Sequence, residues 1–287
     1  MSALLALLGA ASFGAGDFLG GLASRRVSWI VVATTSQFVG LLVIIAAALL
    51  ISGPASGSFS WLGSASGLGF AVGVALLYKA LADGEMARVA PITSLLAILV
   101  PVGIAVYVGQ PAGLLLGSGI AAAVIAIILI SQETSQAADP RNTLSSATLC
   151  IAILAGLGFA VFYIGLDGLP HGRANLWPLV GVRAIATLCT GTVLGLSLAR
   201  GQGQIQRPPA FAAGAGLLDG TATIILFAAL GSGSLTIVAT IGSLYPAATI
   251  LLALTLLGER LSGRQIAGLL FAAAAVIMIA VADVNNQ

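Results

Sequence analysis

Residues 113–130 read GLLLGSGIAAAVIAIILI, a run with no charge and a single hydroxyl, at Ser118. A strand of an outer-membrane barrel would alternate apolar and polar residues over about ten positions. This run is instead apolar on every side, and so is Gly268 to Ala282. Helices and closed barrels are the structures that satisfy their own backbone groups in lipid, so the run reads as a membrane helix.

Outward from it the same texture repeats. Blocks over 2–23, 30–51, 61–81, 87–107, 112–131, 145–166, 176–198, 210–230, 235–256 and 265–282 are each close to the ~20 residues that cross a hydrocarbon layer roughly 30 Å thick. Across all 287 residues only 7% are charged, 59% are hydrophobic and the mean hydropathy is +1.12. A soluble domain needs more charge than this on its surface. The first block is long for a secretory leader and lacks a basic start and a small-residue cleavage site, so it reads as the first span. Connections this short leave no room for a soluble catalytic domain. The expected fold is an all-α integral membrane protein of about ten transmembrane helices.

The remaining classes are excluded by composition. The net charge of +2 is diffuse, which argues against nucleic acid. Cys150 and Cys189 lie inside apolar blocks and read as small buried hydrophobes without a disulfide framework. His171 is the single histidine, so a zinc site or other metal centre has no basis, and no nucleotide-binding glycine loop is present. No cofactor is expected. An intramembrane enzyme would need a convergent acid, base or nucleophile set that the chain does not supply, so an enzyme is not expected.

The polar stretch 132–144, with Glu133, Asp139, Pro140 and Arg141, divides the chain into 1–131 and 145–287. An offset of 149 places Gly84 on Gly233, Val89 on Val238, Ser94 on Ser243, Leu95 on Leu244, Gly109 on Gly258 and Gly119 on Gly268. An offset of 146 places Phe13 on Phe159 and Gln37 on Arg183. Five spans is an odd number, so a second copy enters the bilayer from the opposite side. The reading is two inverted five-helix repeats around a central cavity, a construction suited to alternating access. Glycines four apart, such as Gly63 and Gly67 or Gly216 and Gly220, allow close helix approach.

Polar groups inside the apolar blocks are the candidate cavity residues, because an ionisable side chain in lipid is costly unless it faces protein or water. Asp17 and Asp219 suit an ammonium or a proton. Arg183, eight residues into its span, suits a carboxylate through paired hydrogen bonds, or a structural partner such as Asp219. Gln37, its counterpart, completes that wall, and Tyr78, Tyr163 and Tyr245 offer rings with hydroxyls. Pro91 and Pro246 interrupt the fourth helix of each half and suit a bend or gate. Trp29, Trp61, Trp177 and Tyr107 mark span ends as interface anchors.

The stretch Ser243-Leu244-Tyr245-Pro246, followed by Leu256-Leu257-Gly258-Glu259-Arg260-Leu261-Ser262-Gly263-Arg264-Gln265, closely resembles the repeat ending of the drug/metabolite transporter superfamily, in its ten-helix family of two five-helix units. Ser262 with Gln265 fits a capping box at the start of the last helix. The first copy departs from the pattern, with Val108-Gly109-Gln110-Pro111 at the matching corner, and Gln37 stands where the second copy keeps Arg183. The resemblance implies a bacterial inner-membrane secondary transporter of small metabolites, with amino-acid export as the first reading and multidrug or organic-cation export as the alternative. Under it, Arg183 meets a carboxylate, Asp17 or Asp219 an amino group, with proton coupling as a further role for the acids. Lipid and a small molecule are the partners, and a monomer satisfies the architecture. From another class, a membrane bundle that only binds or scaffolds is the competing account. Orientation is in conflict: the basic residues flank the odd-numbered connections and put both termini outside, whereas the resemblance implies both inside.

Overall fold

The computed structural model describes residues 1–52, 61–82, 86–109, 113–130, 146–170, 175–201, 207, 210–257 and 263–285. Among them lie eleven α-helices: α1 (Ser2–Ser24), α2 (Trp29–Ala47), α3 (Trp61–Ala82), α4 (Met86–Tyr107), α5 (Leu114–Ile130), α6 (Ser146–Asp167), α7 (Trp177–Ala199), α8 (Ala210–Leu230), α9 (Leu235–Gly242), α10 (Tyr245–Leu257) and α11 (Gly263–Asn285). The fold is all-α. Six segments are long and apolar enough to cross a membrane: Ser2–Ser24, Trp29–Ser52, Trp61–Ala80, Cys150–Asp167, Trp177–Ala199 and Ala210–Leu230. Four shorter apolar stretches, Thr93–Ile104, Leu114–Leu129, Leu235–Thr249 and Ile266–Ile279, occupy the other expected spans. The linker 132–144, His171 and the corner Gly258–Ser262 lie outside the described residues.

Helix ends follow local chemistry. The end of α2 widens into a π turn over Ala48–Ser52, and the Ser52 hydroxyl accepts a hydrogen bond from Leu176 N at 2.8 Å, just before α7. Pro178 then falls in the first turn of α7, where its missing N–H costs little. Ser234 caps α9 by accepting from Ile237 N.

The expected ninth span, 235–256, is not one helix. It divides at Ser243-Leu244, immediately before Tyr245-Pro246, because Pro246 has no N–H for the Gly242 carbonyl. Helix α4 instead runs unbroken through Pro91, which falls in its second turn, so the expected interruption there is absent; the Pro91 side chain lies outside the described residues. Cys150, expected to be buried, is exposed on α6, and Cys189 is half-buried.

Packing is reciprocal. Helix α1 packs along α8 and α3 along α6; α2 meets α8 while α7 meets α3; α4 packs on α6 while α1 packs on α9 and α10; α5 pairs with α11. Glycines set the closest approaches. Gly216 lies against Ser36 O and Val39 of α2, and Gly67 lies against Val182 O and Ile185 of α7. Leu50 is 87% and Leu114 93% exposed, with Leu4, Leu8, Leu42, Leu49 and Leu270 also outward. So much outward aliphatic surface suits a lipid solvent, not water.

Candidate substrate cavity

Five helices bring unusual side chains to the centre. A cavity is lined by Phe13 and Asp17 of α1, Phe70 and Val74 of α3, Phe159, Phe162 and Tyr163 of α6, Asp219 of α8 and Tyr245 of α10. Its free volume of about 20 Å³ admits about one water. A solute of metabolite size therefore requires its walls to separate. The rings form one continuous wall: Phe70 and Phe162 have centroids 4.6 Å apart, Phe13 and Phe162 meet edge to face at 6.4 Å, and Phe159 and Tyr245 are also 6.4 Å apart. The face of an aromatic ring attracts a cation.

The two carboxylates reach this wall from facing helices. A side chain at Gly16 would stand 3.3 Å from both Ala215 O and Asp219 Oδ1, so glycine there lets α1 approach α8 and brings both acids to one space. Asp219 also belongs to a second layer. Ser36 Oγ donates to Asp219 Oδ2 at 3.4 Å, and Arg183 Nη1 stands 3.9 Å from the same oxygen. Asp17 has no hydrogen-bond or ion-pair partner among the described residues, although it is only 6% exposed.

Arg183 is fully buried in that second layer and is not among the residues that line the cavity. Its Nη1 donates to Gln37 Oε1 at 2.6 Å, its Nη2 donates to Thr223 Oγ1 at 2.8 Å, and its guanidinium carbon lies 4.2 Å from the centre of the Phe70 ring. Thr223 Oγ1 in turn donates to Asp219 O at 2.9 Å. A guanidinium held by a ring, an amide, a hydroxyl and a carboxylate is oriented from several sides. Its Nε and Gln37 Nε2 have no hydrogen-bond partner among the described residues.

Of the sequence-derived candidates, Asp17, Tyr163, Asp219 and Tyr245 line the cavity, and Gln37 and Arg183 form the layer behind it. Tyr78 is buried with its hydroxyl against Gly20, outside the lining. Pro246 stands at the α9–α10 break beside Tyr245. The aromatic wall went unread except for the alignment of Phe13 with Phe159, because a phenylalanine in an apolar helix carries no distinguishing signal. Ser36, Ser94 and Ser243 were likewise unmarked as site residues.

Part of the chain that builds this cavity matches a known family in sequence. Residues 146–281 match the EamA-like transporter family. Arg183, Asp219 and Tyr245 all fall within the EamA-like stretch. A solved crystal structure, described only as that of a protein, has the same fold, with a TM-score of 0.73 at 13% identity over 99% of this chain and 98% of its own. No curated protein matches the chain in sequence. The EamA-like match is consistent with an integral membrane protein of the small-molecule transporter type, and points to transport rather than enzymatic catalysis.

Proposed function

We propose that the protein is a secondary transporter that moves a small amine-bearing molecule by alternating access between two inverted five-helix halves. The observation that carries the cargo reading is the pairing of an unpartnered Asp17 with a wall of aromatic rings in one buried cavity, while the arginine is engaged behind it. Carboxylate and ring faces together recognise an ammonium group. Arg183 then serves to hold Asp219 and Gln37 in place, in preference to meeting a substrate carboxylate itself.

The duplicated architecture has support at the level of single contacts. Gly216 on Ser36 and Val39 corresponds to Gly67 on Val182 and Ile185, with Ser36 and Val182, like Val39 and Ile185, 146 apart, and the glycines 149 apart. Ser12 Oγ donates to Leu218 O at 2.9 Å, and the residue 146 beyond Ser12, Gly158, lies against the carbonyl of Gly69, which is 149 before Leu218. Gln37 and Arg183, 146 apart, bond to each other directly, as equivalent residues do beside a two-fold axis. Such halves can open a central site to either side in turn.

The test is counterflow in liposomes holding purified protein. Labelled organic amines accumulate against an unlabelled internal pool, with saturation, and Asp17→Asn lowers the rate at least tenfold while the protein stays monodisperse in detergent. Flux that never saturates would mark a pore. No flux of any amine, with flux of neutral or anionic metabolites, would overturn the reading.

A further inference from the structure

Four arginines meet at one corner of the bundle, outside the cavity lining. Helices α1 and α8 run antiparallel, with Gly9 against Leu226 and Gly16 against Asp219, and their ends close where the Arg26 guanidinium carbon lies 5.3 Å from the centre of the Phe211 ring. Helices α2 and α7 are antiparallel too: Arg183 bonds Gln37, and further along α7 a side chain at Gly191 would face Thr34, nearer the start of α2. Helix α2 in turn touches α1 and α8. The end of α1, the start of α2, the end of α7 and the start of α8 therefore share one side of the membrane, which puts Arg25, Arg26, Arg200 and Arg207 at one corner.

All four are exposed, and none has an ion pair among the described residues. The connecting sequences 24–29 and 199–211 contain no acid to neutralise them. Around the opposite ends of the same helices, in 1–5, 48–60, 172–178 and 226–235, there is one arginine, Arg173, and no lysine. Next to the charges the outer surface is apolar. Phe38 of α2, Leu196 of α7 and Leu217 of α8 are each about half exposed, and Gly195, near the end of α7, leaves open space, with no atom within 4 Å of an added Cβ. A cationic rim over outward apolar side chains fits a molecule with an anionic head and hydrocarbon chains, whereas a soluble anion would use the rim alone.

We propose that this corner binds an anionic phospholipid, with the phosphodiester held by Arg25, Arg26 and Arg200 and the acyl chains laid along α2, α7 and α8. Guanidinium forks match phosphate oxygens in pairs. Arg26 is the anchor, because its stacking on Phe211 orients the fork before lipid arrives. Each basic residue beside an anionic lipid surface strengthens binding by about fivefold. Lipid binding here needs no cargo and is independent of the amine-carrier reading.

Trp29 opens α2 at this corner, whereas Trp61 and Trp177 open α3 and α7 at the other end of the bundle, so Trp29 can report on the site. In full-length protein carrying Trp61→Phe and Trp177→Phe, brominated phosphatidylglycerol in mixed micelles is expected to quench Trp29 at a tenth or less of the concentration that brominated phosphatidylcholine with the same chains requires. Adding Arg26→Gln and Arg200→Gln is expected to bring that ratio below threefold, with circular dichroism reporting unchanged helix content. Equal quenching by the two lipids, or a ratio unchanged by the two arginine substitutions, would overturn the site. Relief of phosphatidylglycerol quenching by millimolar inorganic phosphate, and not by sodium chloride of equal ionic strength, would overturn the assignment to lipid and leave a free-anion site in its place.

Discussion

Replacing Gly67 or Gly216 by alanine tests the reciprocal packing on which the proposed alternating access depends. A Cβ at Gly216 would fall on Ser36 O and 2.8 Å from Val39 Cβ; one at Gly67 would fall on Val182 O and 2.9 Å from Ile185 Cβ. Backbone oxygens cannot rotate away, so the helices must separate. Overpacking of this kind costs about 1–3 kcal/mol. Against it stands the gain of about 1 kcal/mol when alanine replaces glycine inside a helix. The net is a loss of about 0–2 kcal/mol at each site. Gly181 and Gly195 of α7 have no atom within 4 Å of an added Cβ, so Gly181→Ala and Gly195→Ala keep the gain. The two classes should differ by about 2 kcal/mol, roughly thirtyfold in the unfolding equilibrium. Reversible unfolding by sodium dodecyl sulfate in mixed micelles, followed by circular dichroism, measures it. Costs at Gly67 and Gly216 that differ by more than about 1 kcal/mol, or that match the two controls, would refute equivalent contacts in the two halves.

Arg183→Lys removes the fork that bonds Gln37 and Thr223 at once and the flat stack on Phe70. A loss of about 2–3 kcal/mol in the same unfolding assay is expected, and a change below about 0.5 kcal/mol would show the network to be slack. Gln37→Leu strips the acceptor from a buried charge and should cost about 1.5–3 kcal/mol, with a smaller further loss when added to Arg183→Leu; strict additivity would deny their coupling. Gly16→Val inserts bulk between α1 and Asp219 and should abolish counterflow more than it lowers stability, which parallel transport and unfolding measurements separate. Tags at either terminus of the protein in intact cells decide orientation: accessibility from outside follows the basic-residue bias, and protection follows the family expectation.

The membrane class was legible because a 7% charge content leaves no other solvent for the surface. Asp17 and Asp219 were legible for the same reason, since a carboxylate in an apolar block must meet something polar. What Arg183 meets was not. Helices apolar all round give no stripe that says which side faces a cavity, and only the packed bundle turns its guanidinium toward Gln37 and Thr223. Proline alone did not forecast the broken helix either. Pro91 sits in the second turn of α4 and is absorbed, whereas Pro246 sits in the middle of its span, where the orphaned Gly242 carbonyl has nowhere within the helix to bond.

On the proposed duplication, agreement and disagreement between the copies divide by role. Gly67 and Gly216, and Ser94 and Ser243, agree across the offset, and the glycines set interhelical distances. Asp17 is opposed by Tyr163, Gln37 by Arg183, Phe70 by Asp219 and Leu96 by Tyr245. Seven of these eight residues are in the cavity lining or in contact with one another directly behind it. A symmetric frame lets the two halves exchange shapes, which needs matched contacts. A directional cargo with an ammonium at one end needs the opposite: an acid on one side of the axis and a hydroxyl on the other. Restoring symmetry at one such pair, with Asp17→Tyr, should therefore leave the packing contacts at Gly67 and Gly216 intact and remove discrimination between amines and neutral solutes of equal size. Retained discrimination in that variant would mean that Asp17 does not recognise the amine.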